Sequence, residues 1–376
     1  MAPQSEATEA QPEGVKGPKP FGRNILLAIL VGLAINVLLG FFVDFDKFKL
    51  ALSHTRPWQV LLPFGAIILV YLVDSLRYLS IFRQFGVRLA FGDAFYNNVI
   101  GYFFCNVTPS SAGGQPFQVY HFSRLGLDTT TATNVIFSRL MVANFAQLLI
   151  VFAFSKRGIE LLATSGNGAY VLGLGMATTA VVSVFLLLVF LKPTLIGRLA
   201  LSLEHSRLGR LVGRIAKDER WAEKLSGWSF SLRDSFRFLW AERTWAVVLD
   251  AVLFLIVQAT WSLGLYFPLL AISGVALPFG DFLFAFIVCG LVSAYIPTPG
   301  ASGSIEASYA LVLGGLTGSF GHALSAVMLW RLGSYYLHLI FGGLLYGLVP
   351  QGKDLYARLA DGTLARTKAG ERPPPT

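Results

Sequence analysis

The sequence predicts an all-α polytopic membrane protein with about six full spans and two re-entrant helical hairpins arranged as inverted repeats. Three observations predict it. Apolar side chains make up 54% of the 376 residues and charged ones only 14%, against about 25% charged in a soluble domain. Several apolar stretches approach or exceed the ~20 residues that a helix needs to cross a bilayer. Two shorter apolar runs break at Pro- and Gly-rich segments that recur at a near-constant distance. Together with a mean hydropathy of +0.61, these features exclude a secreted disulfide scaffold, a soluble Rossmann enzyme and a nucleic-acid-binding domain.

The formal charge of +9 is read as topology, because Lys and Arg gather in cytoplasmic loops and hold anionic lipid at the inner surface. No nucleic-acid partner is expected. Cys105 and Cys289 sit in apolar runs as small buried residues, with no CxxC pair. The five histidines show no HxxxH or HExxH spacing, so neither a zinc site nor another cofactor is expected.

Residues 1–22 are rich in Pro, Gly, Glu and Ala and read as a disordered tail. A transmembrane region follows over 23–350. Its first span, 24–43, carries no formal charge and is too long for the ~7–15-residue apolar core of a signal peptide. The next, 58–73, is expected to end at Asp74, Arg77 and Arg83. Further spans fall at 129–154, 168–191, 245–272 and 322–349. Segment 192–243 holds eleven Lys/Arg. Its Trp221, Trp228, Phe230, Phe236, Phe238 and Trp240 predict amphipathic helices lying on the membrane surface. Residues 351–376 read as a frayed tail.

Runs 93–108 and 281–296 are different. The first stops at PSSAGGQP (109–116) and the second at PTPGASG (297–303). Sixteen helical residues reach about 24 Å, short of a ~30 Å hydrocarbon core. Pro removes an N–H and Gly tolerates positive φ, so both runs break there. Both follow the tripeptide Phe-Gly-Asp, at 91–93 and 279–281, and both precede a span carrying an arginine, Arg139 and Arg331. The offsets, 188 and 192 residues, mark an internal repeat: 58–154 and 245–349, joined by the span 168–191.

Treating 93–125 as a hairpin puts 23 Lys/Arg on the cytoplasmic side and five outside, with Arg139 and Arg331 within spans. A full crossing there would place the basic segment outside, against the positive-inside rule. The second hairpin, about 281–317, then enters from the opposite face, a plan shared by many secondary transporters.

Three constellations could carry chemistry. At the hairpin tips, the second limbs begin near Gln115 and Ser304, with N-terminal N–H groups aimed at the midplane. Ser110, Ser111, Gly113 and Gly114 on one side, and Thr298, Gly300, Ser302 and Gly303 on the other, could seat a phosphate; the alternative is packing hinges. Arg139 and Arg331 could grip one anionic group with forked hydrogen bonds. Alternatively each forms a structural ion pair with Glu306, Asp250 or a helix carbonyl. Arg77 is either a further contact or the mark of its span's end. Glu306 either carries a proton or caps its helix; Asp74 and Asp250 are further carboxylates of this kind. Tyr295, Tyr335, Tyr336 and His338 either line the same region or pack. No phosphate-binding loop, GxSxG or kinase set appears.

At YIPTPGASGSIEASYALVLGG (295–315) and AVMLWRLGSYYLHLIFGGLLYG (326–347), the sequence resembles the lysylphosphatidylglycerol synthase transmembrane family, the lipid-flippase region of the bacterial multiple peptide resistance factor. FFCNVTPSSAGGQPFQVYHFSRLGL (103–127), with Arg139 beyond it, is similar to that family's other loop and span. The resemblance covers roughly 20–350. It implies transbilayer movement of lipids or lipid-linked molecules, with Glu306 and Arg331 at motif positions. The chain departs from it at Gln115 and Gln118, where the family often has an acidic residue and an Arg, and at Ser138, where a Glu often precedes the Arg. The resistance factor's soluble aminoacyl-transferase domain has no counterpart, so this chain is expected to be a transporter and not an enzyme. The expected partners are anionic or phosphate-bearing membrane lipids, a lipid synthase and a second copy of the chain. The expected location is the bacterial cytoplasmic membrane with both termini inside. A lipid-modifying enzyme using Glu306 as base, or a lipid-binding scaffold for a synthase, are the alternatives.

Overall fold

The computed structural model describes residues 56–109, 111–164, 168–216, 220–294 and 296–348. The expected first span at 24–43, both tails, Ser110 and Tyr295 lie outside the described residues.

The first repeat begins with α1, Pro57–Gln84, started by Pro57 where a missing N–H costs nothing. The Arg56 N–H, just before it, donates to Gln59 Oε1 at 2.9 Å. After a turn at Gly86 come α2, Phe91–Val107, and, beyond a break, α3, Gly114–Arg124. Helix α4, Thr129–Ala153, is capped by Asp128, whose carboxylate accepts the Thr131 N–H at 2.8 Å. Two connecting helices follow, α5, Ser155–Thr164, and α6, Gly168–Leu191.

The basic segment forms α7, Thr194–Leu203, α8, Arg207–Ala216, and α9, Trp221–Arg237, closed by a π turn at Phe238–Glu242. The second repeat then restates the first: long α10, Thr244–Ser273, short α11, Phe279–Ala294, a break, short α12, Ser304–Thr317, and a last long helix. That last helix runs as α13, Phe320–Arg331, a π turn at Leu332–Leu337, and α14, His338–Leu348. The described residues contain no strand beyond one isolated bridge.

Leu61–Gln84, Thr129–Ala153, Gly168–Leu191 and Thr244–Ser273 are long and apolar enough to cross a bilayer. Large apolar side chains also cover the outside. Leu149, Phe152, Val181 and Trp245 are 68%, 76%, 69% and 75% exposed. In water such a sheath would be an aggregation surface; against acyl chains it costs nothing. The chain is an integral membrane protein.

Two expectations are corrected. The span expected to end at Asp74 continues for another ten residues, to Gln84. Asp74 and Arg77 are inside the bundle rather than at its edge, because each finds an opposite charge on a neighbouring helix. The basic segment, expected as surface helices, packs into the bundle through α9. Leu232 and Phe236 of α9 are buried against Phe137, Phe145 and Phe190, and Asn134 of α4 donates to Ser231 and Ser235 at 2.9 and 2.8 Å.

The helices that position the site are held by close packing. Val70 and Val73 of α1 meet Val257 of α10. The second-repeat hairpin fills the centre of the largest apolar cluster with Phe282, Phe284, Phe286 and Tyr309. At its outer end Arg157 of α5 bonds Asp281 at 3.0 Å and Glu160 at 2.6 Å. Those bonds hold the Arg157 guanidinium above its ordinary pKa, Asp281 contributing most.

Candidate functional site

The two helix breaks meet. Pro109 of the first tip and Pro299 of the second form an antiparallel bridge. Aligning the tips at that pair gives an offset of 190 residues, which also matches Thr108 with Thr298, Ser111 with Ala301 and Gly113 with Gly303. Ser111 and Ala301 are the two described non-glycine residues at positive φ, +55° and +51°. A Cβ there costs roughly 1–2 kcal/mol, so the same strained turn is built twice. Gly300 follows Pro299 at φ +57°, and a Cβ on it would run into the Tyr335 ring and lie 2.9 Å from Asn106 Oδ1. Asn106, on the first hairpin, thus reaches the backbone of the second.

Each tip satisfies its own leading N–H. Gly113 N–H donates to Thr108 Oγ1 at 2.8 Å, and Gly303 N–H donates to Glu306 Oε2 at 2.7 Å. Glu306 is wholly buried, and its other oxygen accepts from Arg331 Nε at 2.7 Å. It therefore caps α12 and pairs with Arg331 at once. The Nη2 edge of Arg331 donates to two neutral acceptors, Gly300 O and Ser302 Oγ, each at 3.2 Å. Its Cζ stands 4.3 Å above the Tyr335 ring. The π turn carries Tyr335, and such insertions often gather at functional sites. Gly333 lets this turn sit against α1, since a Cβ there would lie 2.8 Å from Pro63 O.

A second cluster joins α1, α4 and α10. Arg77 binds Asp250 through Nε at 2.9 Å and Nη2 at 3.0 Å, and Asp74 through Nη1 at 2.7 Å. Arg139 Nη2 donates to Asp74 Oδ1 at 3.1 Å, its Nε lies 3.7 Å from Asp250, and its Cζ stands 3.5 Å over the Tyr78 ring. Tyr102 of the first hairpin donates to Asp74 Oδ2 at 2.8 Å. Two arginines and two aspartates cancel, as Arg331 and Glu306 do. Burying these charges is tolerable for that reason: an unpaired partner would cost several kcal/mol.

The sequence-predicted residues fall into two groups. Gly300, Ser302, Gly303, Glu306, Arg331 and Tyr335 come together. Arg77 and Arg139 belong to the aspartate cluster instead, so Arg139 and Arg331 do not converge on one point in this structure. At the first tip, Ser111 and Gly113 line the turn, Gly114 is buried against Cys105, and Gln115 is exposed. Thr298 carries a buried hydroxyl with no hydrogen-bond partner. Sequence reasoning missed Thr108, Asn106 and Tyr102. The repeated Thr-Pro at 108–109 and 298–299 was the signal available for the first.

Among the described residues no group of three His, Cys, Asp or Glu is disposed to hold a metal ion. The chain is 25% identical to a UPF0104 membrane protein of Archaeoglobus fulgidus over 334 residues, covering 85% of this chain and 95% of that one. A UPF0104 membrane protein of Methanocaldococcus jannaschii is 32% identical over 104 residues, 27% of this chain and 31% of that one. The family profile described as the lysylphosphatidylglycerol synthase TM region matches residues 25–342. With that match spanning most of the chain, and with paired tips built from the same residues that carried the resemblance, the protein belongs to the lysylphosphatidylglycerol synthase TM region family.

Proposed function

We propose that this protein moves a phospholipid or another phosphate-bearing lipid across the bilayer, as a flippase or scramblase rather than an enzyme. The head group passes between the hairpin tips while the acyl chains stay in lipid. The antiparallel pairing of Pro109 with Pro299 is the observation that carries this reading. Broken helices are costly in hydrocarbon unless protein or a wet cavity receives the freed backbone groups. Two repeats that spend strained residues on one shared break therefore favour a site used from both sides, with the repeats inverted in the membrane. The same topology keeps the basic segment and both termini on the cytoplasmic side of a cytoplasmic membrane.

At the tips, the exchangeable contact is the Nη2 edge of Arg331. Its two neutral acceptors are long at 3.2 Å, and a phosphate oxygen, itself charged, forms a shorter bond with the guanidinium. Thr298 Oγ adds a donor without a partner. Glu306 stays in place, so the anion adds to a paired guanidinium instead of having to displace its carboxylate.

The test uses purified protein in vesicles with a fluorescent phosphatidylglycerol confined to one leaflet and a membrane-impermeant quencher. Movement well above that of protein-free vesicles supports transport. Background movement, together with a new lipid species in the mass spectrum, would instead assign lipid-modifying chemistry.

A further inference from the structure

A pocket of about 330 Å³ opens where α6 leaves the membrane, far along the chain from either tip. Phe190, Leu191 and Pro193 at the end of the most apolar helix form one wall, and Arg233, Arg237 and Trp240 of α9 and its π turn form the other. We propose that this pocket is an interfacial binding site for an anionic phospholipid, its phosphate held by Arg233 and Arg237 and its first methylenes lying on Phe190 and Leu191. This assignment stands whether or not lipid crosses at the tips.

Four observations select that occupant. Arg233 and Arg237 are four residues apart, hence on one helix face, and both are exposed. Arg237 has no ion pair among the described residues; Arg233 stands 5.4 Å from the Phe230 ring centroid and pairs with its neighbour Asp234, side chains 52% and 65% exposed. An exposed pair of that kind contributes at most about 1 kcal/mol and yields readily to a phosphate. The Trp240 ring lines the pocket and packs on Phe190 at 4.8 Å between centroids. Leu191 is 63% exposed, and a Trp beside a span end is a signature of the membrane–water interface. Charge alone would suit any soluble anion. The apolar wall beside it suits one that carries an acyl chain.

The experiment reads quenching of Trp240 by brominated-acyl phosphatidylglycerol against brominated-acyl phosphatidylcholine in vesicles, with Trp240→Phe subtracted to remove the other tryptophans. The expected result is a preference for phosphatidylglycerol of about 25-fold, at roughly fivefold per arginine. Arg233→Gln with Arg237→Gln should bring it near unity. Far-UV circular dichroism checks that the variant folds; Arg237→Gln alone, which orphans no partner, should still lower the preference about fivefold. Arg210→Gln with Arg214→Gln, on α8 outside the pocket, should leave it within twofold. Any of three results overturns the proposal: no preference in the unaltered protein, an equal loss from the α8 pair, which would make the effect a diffuse basic surface, or equal-affinity displacement of the lipid by glycerol phosphate, which would make this a soluble-anion site.

Discussion

Replacing Arg331 with Gln should destabilise the protein far more than a typical substitution, and adding Glu306→Gln should recover most of the loss. The side chains of the pair are 2% and 0% exposed and 2.7 Å apart. Without the guanidinium, Glu306 Oε1 loses its partner and the carboxylate keeps only the Gly303 N–H on Oε2. Breaking a buried pair from one side costs about 3–5 kcal/mol, because a charge is left uncompensated. At ~2–4 °C per kcal/mol for a large domain, the apparent melting temperature should fall by on the order of 10 °C. The double variant buries no charge, and the amide oxygen that Glu306→Gln supplies can still accept the Gly303 N–H. The double-mutant cycle should therefore return a coupling of at least ~2 kcal/mol. The assay is thermal unfolding in one detergent, followed by size-exclusion fluorescence, for both singles and the double. A single Arg331→Gln that melts within ~2 °C of the parent, or a double no more stable than the single, would refute the reasoning. Arg331→Lys should fall between, keeping charge for Glu306 but losing the fork that reaches Gly300 and Ser302.

Asp250→Asn leaves Arg77 and Arg139 sharing Asp74 alone and should cost about 3 kcal/mol, with partial recovery when Arg77→Gln is added; the same melt measures it. Gly300→Ala combines positive φ with a clash against Tyr335 and Asn106, so lipid movement in vesicles should fall at least tenfold. Gly86→Ala has φ +74° in open space; it should cost only ~1 kcal/mol of stability and leave transport unchanged. With Cys105 and Cys289 replaced by Ala, single cysteines at Arg88 and Arg124 should label from one side of the membrane and one at Val275 from the other. Labelling of 88 and 124 from opposite sides would replace the first hairpin by a full crossing.

Composition and run length determined the class of this protein, because hydrocarbon accepts only elements that satisfy their own backbone, and helix lengths are countable in the sequence. The breaks were equally legible. Pro and Gly act locally, so α2 and α11 end at Val107 and Ala294, and α12 restarts at Ser304. The offset of 188–192 residues exposed the repeat for the same reason. What the sequence left open was the partner of each charge. Arg77 looked like the end of a span because the sequence around it turns polar; Asp250, 173 positions away, draws it into the bundle. Arg139 and Arg331 occupy equivalent positions in the two repeats, yet one meets two aspartates and the other a glutamate on its own repeat's hairpin. Which carboxylate compensates a buried guanidinium depends on helix rotation and crossing, set by the packing of side chains such as Val70, Val257 and Phe254. Only the tertiary structure decides that, because low-dielectric pairing acts through space over a few ångströms and leaves no spacing rule along the chain.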